Sequence, residues 1–222
     1  MATFLSIGSG PGIAYATAER FAKEGFQIVF SARNAAKTQQ LAQRLEALGY
    51  KVNARSVHAD DPKSVAALIA DVERDTGSVD VLHYNVASLR AANITDQPAE
   101  TFIPDLAVNI GGALVATQAV LKKMLARRSG TILLTGGGYS LQPNPERLTL
   151  SIGKAGLRAL QQALFEPLKQ QGVHIASVMV METVLPDSKD AEDIGEHFWK
   201  LHNQPSGSWT QEVQYSSASS GA

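Results

Sequence analysis

Short apolar runs alternate with longer amphipathic stretches from the first residues almost to the end of the chain. Runs such as Ile28-Val29-Phe30 and Ile132-Leu133-Leu134 are apolar at consecutive positions, which is typical of strands buried on both faces of a parallel sheet. Alternation of such strands with helical patterns predicts repeated βα units. The predicted strands lie near residues 3–7, 26–31, 51–57, 79–84, 130–135 and 173–180.

Helical patterns fill the gaps between these strands. Asp61-Pro62 offers a capping side chain followed by proline at the first helical position. Residues 99–128 predict one long helix or a kinked pair, because Pro104 and Gly111-Gly112 interrupt an otherwise continuous pattern. Other predicted elements are helices at 35–48, 62–75, 145–171 and 190–201, and an edge strand at 209–215.

Together these elements predict a three-layer α/β fold of the Rossmann type, with a doubly wound, mostly parallel sheet. A chain of 222 residues with 44% hydrophobic content suffices for one well-filled domain, and no linker or composition shift divides it. We therefore expect a single domain over residues 1–215. The small polar residues 216–222 predict a disordered tail.

Composition argues against several function classes. A net charge of −1 provides no basic surface for nucleic acid, and no apolar run approaches the roughly 18 residues of a membrane span. The start of the chain lacks the pattern of a signal peptide, so we expect a cytoplasmic protein with neither nucleic-acid nor membrane partners. The chain has no cysteine, and its five histidines lack the spacing of a zinc site, so no metal is predicted.

A glycine-rich turn lies between the first predicted strand and the first helix. Glycines allow a tight turn and a close approach of the backbone to a pyrophosphate, whose charge meets the amide-rich start of the helix. An ordinary strand-to-helix loop can also use glycine for its backbone angles, but here strand, turn and helix follow in the order that dinucleotide binding requires. The predicted binding residues of this turn are Gly8, Ser9, Gly10, Gly12 and Ile13.

The end of the second strand bears on which dinucleotide binds. An acidic residue at this place would bind the adenosine ribose of NAD, whereas an arginine would bind the 2′-phosphate of NADP. The chain has Ser31-Ala32-Arg33-Asn34 here and no acid. Arg33 therefore favours NADP over NAD through its charged, planar donor group, although a solvated arginine at a strand end is common.

Residues 3–184 resemble the short-chain dehydrogenase/reductase family in several ordered motifs. The glycine turn is similar to the family's Thr-Gly-x-x-x-Gly-x-Gly, with Gly8 and Gly12 on the first two glycines. The stretch from Asp80 to Ala87 is similar to its Asp-x-Leu-x-Asn-Asn-Ala-Gly and retains Asn85. The resemblance places Asn109 on the asparagine that holds a proton-relaying water, and Lys154 on the catalytic lysine. It also adds Asn85, Ala87, His58, Asp60 and Lys154 to the predicted cofactor contacts.

The chain departs from the family pattern at the reacting centre. Leu150 stands four residues before Lys154, where the family has its proton-donating tyrosine, and Gly137 stands where it has its catalytic serine. Val180-Met181 replaces a Pro-Gly near the nicotinamide. Loss of a positioned general acid and of an oxyanion donor each removes a factor of roughly 10² or more from the rate. The departures predict a divergent subgroup that lacks the usual pair of hydroxyls.

Lys154 without its tyrosine has two interpretations. The resemblance implies that Lys154 binds the nicotinamide ribose, and this role alone would explain an ammonium group at the position. The second interpretation is that Lys154 also keeps a catalytic role. If catalysis persists, Tyr139 is the nearest substitute acid, because it follows the fifth strand in a loop that should overlook the cofactor. Packing of Tyr139 over the three preceding glycines, without a role in catalysis, is the simpler explanation of this residue. Ser140 and Ser151 are the next candidates.

The sequence therefore predicts an NADP(H)-dependent oxidoreductase of unknown substrate. Two alternatives remain open. The chain could be a non-catalytic NADP(H)-binding sensor or subunit, or substitutions such as His58 and Val180-Met181 could have closed the pocket. A small-molecule substrate is possible, and a homodimer or homotetramer is implied by the resemblance alone.

Overall fold

The computed structural model describes residues 1–217, and the last part of the predicted tail, residues 218–222, lies outside them. Its centre is one seven-stranded sheet in the order β3-β2-β1-β4-β5-β6-β7, and every pair of neighbouring strands is parallel. The strands are β1 Thr3–Ile7, β2 Gln27–Ala32, β3 Val52–Ser56, β4 Val81–Tyr84, β5 Gly130–Thr135, β6 Val173–Val180 and β7 Glu212–Tyr215.

Helices cover both faces of the sheet, which confirms the predicted three-layer, single-domain α/β fold. They are α1 Ile13–Lys23, α2 Ala35–Glu46, α3 Pro62–Thr76, α4 Phe102–Leu106, α5 Gly112–Arg127, α6 Leu148–Lys169 and α7 Lys189–His202. Side chains of α1, α2 and α7 form the core on one face, and side chains of α3, α5 and α6 form the core on the other. The central strands are apolar throughout because both of their faces are covered.

Side-chain caps begin three of the helices. Asn34 accepts a hydrogen bond from the backbone of Lys37 at the start of α2, and Asp61 accepts one from Lys63 before Pro62 opens α3. Ser188 caps α7 in the same way. Each side-chain oxygen satisfies a backbone N–H that has no partner within the helix, so the predicted boundary at Asp61-Pro62 has its physical explanation.

The stretch predicted as one long helix or a kinked pair is a pair of helices joined by a wide turn. Pro104 lies inside α4, and residues 107–111, which end at the first glycine of the pair, form a single π-helical turn between α4 and α5. Ala99–Arg127 is long and apolar enough to span a membrane by length and composition. Residues such as Ala116 and Val120 are nevertheless completely buried in the core, as in the central helix of a globular domain.

The sheet order changes direction between β1 and β4. Strands β2 and β3 continue the sheet on one side of β1, and β4 to β7 continue it on the other. Loops after β1 and β4 therefore diverge to opposite faces of the sheet and leave a crevice at its carboxyl edge, the usual ligand position in such folds. β7 extends the far edge of the sheet as a short parallel strand. It begins at Glu212, three residues after the start of the predicted strand 209–215.

Candidate functional site

Two adjoining cavities, of about 740 Å³ and about 510 Å³, lie along the carboxyl edge of the sheet. Asn85, Ala87 and Leu89, all in the loop after β4, line both of them. The larger cavity reaches from the glycine turn to the end of β2, and the smaller one reaches from Ile13 to Lys154 on α6. The two form a continuous cleft, large enough for an extended organic ligand.

Gly8 brings the first turn against the loop after β4. Its φ of +86° lies in the left-handed region, and a Cβ at this position would come within 2.7 Å of the backbone nitrogen of Val86. Only glycine satisfies both conditions without strain. Asn85 fixes the same approach from the other side, because its side-chain nitrogen donates to the carbonyl of Gly8 at 3.1 Å.

The amides of the glycine turn divide into two groups. The N–H groups of Gly8 and Ser9 both donate to the carbonyl of Ser31, so they are not available to a ligand. Those of Gly10, Gly12 and Ile13 have no hydrogen-bond partner among residues 1–217. The turn therefore keeps three donors at the start of α1, where the helix dipole also favours an anion.

The two glycines before α1 differ in the free space around them. A Cβ on Gly10 would meet nothing within 4 Å, whereas one on Gly12 would touch the backbone of the segment Leu185-Pro186. Gly8 and Ser9 line the larger cavity and Ile13 the smaller one, while Gly10 and Gly12 line neither. The opening is thus accessible on its Gly10 side and bordered on its Gly12 side.

Three of the predicted cofactor residues lie together at the outer end of the larger cavity. Arg33 at the end of β2 and the pair His58 and Asp60 after β3 are all exposed and line this cavity. Arg33 makes no hydrogen bond or ion pair with any residue from 1 to 217. An unpaired guanidinium at the mouth of a cavity is available for an anionic ligand.

Lys154 projects from α6 into the smaller cavity. Its ammonium group donates to the carbonyl of Thr135 at 2.6 Å. Burial lowers the pKa of Lys154 to about 8, because the charged form loses its hydration. The side chain nevertheless remains on the cavity wall, so a ligand can reach it.

The residues around Lys154 supply no hydroxyl at the two positions singled out in the sequence. Leu150, one turn earlier on α6, is 5% exposed and lines the same cavity. A Cβ at Gly137 would lie 3.6 Å from Cε of Lys154, so a side chain there would point at the lysine. The geometry thus places Leu150 and Gly137 beside Lys154, while their identification with the family's catalytic positions stays a prediction.

The substitute donors differ in their access to the cavity. Tyr139 lies in a 3₁₀ turn, is partly exposed and lines the smaller cavity. The hydroxyl of Ser140 donates back to the carbonyl of Gly137. Ser151 is buried and does not line the cavity. Its hydroxyl accepts a hydrogen bond from the backbone N–H of Asn144 and donates one to the carbonyl of Arg147. Among the three, only Tyr139 is placed to meet a ligand.

Asn109 occupies the π-helical turn between α4 and α5 and is 2% exposed. Its side-chain oxygen accepts from the backbone of Ser88 at 2.6 Å, and its nitrogen donates to the carbonyl of Thr149 at 3.3 Å. α6 can approach this closely because Gly153 has no Cβ to collide with Asn109. The side chain joins the loop after β4 to α6; the predicted water relay stays a prediction.

A buried polar chain that the sequence did not reveal lies behind Lys154. Thr135 donates its hydroxyl to the side-chain oxygen of Asn85 at 2.8 Å, and it lies 3.0 Å from Nε2 of His83. Since the Thr135 proton is already used, Nε2 of His83 carries the proton in this arrangement. Burial lowers the pKa of His83 to about 3, so the ring is neutral. The chain holds Asn85 in place at the junction of the two cavities.

A second cluster that was not predicted surrounds Asp105, which is 4% exposed. It accepts hydrogen bonds from the side chains of Ser88, Arg90, Gln97 and Thr149. Burial alone would raise the pKa of Asp105, but the donors outweigh it and hold the pKa below its usual value. No local spacing in the sequence indicates this cluster, because its members are separated by up to 61 positions and meet only through the fold.

The parallel sheet and the cleft at its carboxyl edge define an α/β protein with a Rossmann-type nucleotide-binding fold. A profile of the family described as short chain dehydrogenase matches residues 2–191. The chain therefore belongs to the short-chain dehydrogenase family, which confirms the resemblance found in the motifs. This family uses NAD(P) cofactors.

Individual relatives agree with this assignment. The chain is similar to an uncharacterised oxidoreductase of Staphylococcus aureus strain MW2, with 27% identity covering 90% of each chain. A crystal structure of a short-chain dehydrogenase from Rhodopseudomonas palustris superposes with a TM-score of 0.89 at 26% identity, covering 97% of this chain and 98% of that one. A metagenomic short-chain oxidoreductase in complex with NADP shares the fold, with a TM-score of 0.89, 21% identity and 96% coverage of both chains.

Proposed function

We propose that this protein is an NADP(H)-binding oxidoreductase of a divergent subgroup, in which the family's tyrosine and serine are replaced by Leu150 and Gly137. The observation that carries the proposal is the continuous cleft from the unpaired Arg33, past the start of α1, to Lys154. Its order of groups, a cation, free amides and a second cation, matches a ligand with phosphates at one end and in the middle.

The residues of the cleft fit a dinucleotide. Arg33 would bind the 2′-phosphate, with His58 and Asp60 beside the adenine, and the amides of Gly10, Gly12 and Ile13 would face the pyrophosphate. Asn85 and Ala87 border the path, and Lys154 would bind the ribose at the nicotinamide end. A bound nicotinamide supplies or accepts a hydride.

The chemistry that this chain adds is limited at the reacting end. Leu150 and Gly137 provide no proton, and Lys154 provides a positive charge or a hydrogen bond beside them. Small-molecule acceptors that are already activated need little acid assistance, so we propose these as the substrate class. Tyr139 is the hydroxyl that could assist, since it lines the same cavity.

Binding of NADPH and NADH, measured by calorimetry, tests the nucleotide site. We expect NADPH to bind more tightly, and Arg33→Ala to remove that preference because the cation at the cavity mouth is lost. Lys51→Ala is a matched control, since Lys51 is exposed at the opposite, amino end of the sheet. Equal affinity of the wild-type protein for the two nucleotides would refute the assignment of Arg33, and no binding would refute the proposal.

The second candidate is a non-catalytic NADP(H)-binding sensor or subunit. The apolar Leu150 beside Lys154 favours it, since no group at that position can donate a proton. Oxidation of NADPH measured over a panel of aldehydes, ketones, quinones and enones separates the two. Turnover on an activated acceptor indicates a reductase, whereas tight binding without turnover indicates the sensor.

We also propose a cytoplasmic homodimer or homotetramer. Ile103, Leu114 and Ile152 are large apolar side chains on α4, α5 and α6, and each is exposed in the single chain. Burial of such side chains against a second copy would remove apolar surface from water. Sedimentation of the purified protein decides between these states and a monomer.

A further inference from the structure

The amine of Lys154 lies on the wall of the smaller cavity, whose lining also includes Glu182. Its single hydrogen bond is to the carbonyl of Thr135, and no ion pair joins it to an acid among residues 1–217. Leu150, Val180 and Met181 contribute apolar surface to the cavity that it lines. An ammonium group in such a place has lost hydration without gaining a counter-charge.

The titratable groups that face this amine are few. Tyr139 and Glu182 line the same cavity, and the neutral His83 lies behind Thr135. The carboxylate of Glu182 accepts hydrogen bonds from the backbone and the hydroxyl of Ser217. With a pKa of about 8, roughly one tenth of Lys154 is an uncharged amine at pH 7, against far less than 1% of an ordinary lysine.

We propose that Lys154 is a carbonyl-condensing amine, which forms a reversible imine with small apolar aldehydes that enter the cavity beside Leu150 and Gly137. The amine is reachable because Lys154 lines this cavity, and neither Gly137 nor Leu150 offers it a hydrogen-bonding side chain. A nucleophilic lysine needs this combination of access and an uncharged nitrogen.

The step balances without a redox partner. The nitrogen lone pair attacks the carbonyl carbon, a C–N bond forms, and a proton moves from nitrogen to oxygen to give the carbinolamine. The C–O bond then breaks with uptake of one proton, which releases water and leaves a protonated imine. Its positive charge makes the bound carbon electrophilic, so an added hydride reagent traps the adduct as a stable secondary amine on Lys154.

This inference goes beyond nucleotide binding. It rests on the proposed function in one respect, because the aldehydes would enter the same cavity beside Lys154. Failure of one does not imply failure of the other, because the imine can be detected without nucleotide and nucleotide affinity can be measured without aldehyde. Both measurements are made on the same preparation.

Trapping with sodium cyanoborohydride tests the proposal. The full-length protein is incubated at pH 7 with butanal and the reductant, and N-butyl lysine is located by peptide mass spectrometry. We expect Lys154 to be alkylated about tenfold or more faster than the exposed Lys63 and Lys200, which serve as internal references. Alkylation of Lys154 at or below the reference rate in folded protein overturns the proposal.

A matched pair of variants tests the cause. Gly137 has an extended backbone and an added Cβ would make only ordinary contact with Lys154, so both substitutions fit locally. Gly137→Asp should slow the alkylation of Lys154 several-fold, because a carboxylate stabilises the ammonium form, while Gly137→Ala should retain most of it. Equal rates in the two variants would contradict the role assigned to the uncharged amine.

Discussion

At the scale of single residues, the cleft combines a retained cation with a missing hydroxyl. Lys154 reaches the cavity from α6, and Leu150 lies one turn away on the same cavity wall, where the proposed function assigns it the place of a proton-donating tyrosine. A leucine adds apolar surface beside the lysine, and under the proposed function it both withholds a proton donor and favours the uncharged form of the amine.

Leu150→Tyr tests whether that position governs proton donation. The side chain lines the cavity, so a phenol can extend into open space beside Lys154. We expect NADPH-dependent reduction of a reactive ketone to rise about 10²-fold or more over Leu150→Phe, which has the same ring without the hydroxyl. Steady-state rates of both variants are compared at saturating nucleotide. Equal rates would show that Leu150 does not occupy the acid position.

At the scale of elements, the cleft depends on how closely the turn after β1 meets the loop after β4. Gly8 permits the approach, and the side chain of Asn85 locks it through the carbonyl of Gly8. Asn85 is held in turn by Thr135 on β5. Three strand ends are thus connected by side-chain and backbone contacts at the centre of the site.

Gly8→Ala should destabilise the folded chain by about 2 kcal/mol or more, because the left-handed backbone and the contact with Val86 both oppose a methyl group. Gly10→Ala is the control in the same turn, since an added Cβ there meets nothing within 4 Å and φ is not left-handed. Urea unfolding without nucleotide measures both. A loss for Gly10→Ala as large as that for Gly8→Ala would contradict this explanation.

At the scale of the whole molecule, buried neutral histidines couple stability to pH. Burial lowers the pKa of His83 to about 3 and that of His202 to about 4, and it lowers the pKa of His174 as well. Below about pH 6.5 the unfolded chain binds protons at these sites while the folded chain does not. Stability contributed by His83 and His202 is therefore complete above about pH 6.5 and is lost as the pH falls toward 4, and His174 contributes in the same direction.

Urea unfolding at pH 7, 6 and 5 measures this dependence. We expect the free energy of unfolding to fall with decreasing pH by up to about 1.4 kcal/mol per pH unit for each ring. His202→Gln should make the dependence shallower, because an uncharged amide can replace the hydrogen bond to Thr131 without binding a proton. An unchanged slope in His202→Gln would contradict the assignment.

The regular elements were predictable because their signals are local. Buried strands such as β2 and β5 are apolar at consecutive positions. The start of α3 is indicated by two adjacent residues, the capping Asp61 and Pro62. The glycine turn and the spacing between Leu150 and Lys154 are equally local, so the sequence predicted the fold class and indicated which residues lie beside the lysine.

Only the tertiary structure decided which of these groups are free to act. The turn donates the amides of Gly8 and Ser9 to Ser31 on β2, so its remaining donors could not be identified from the motif. The π-helical turn at Asn109 and the chain from His83 through Thr135 depend on packing between distant segments. Hydrogen-bond partners and desolvation depend on which segments meet in space, and a linear pattern does not contain that information.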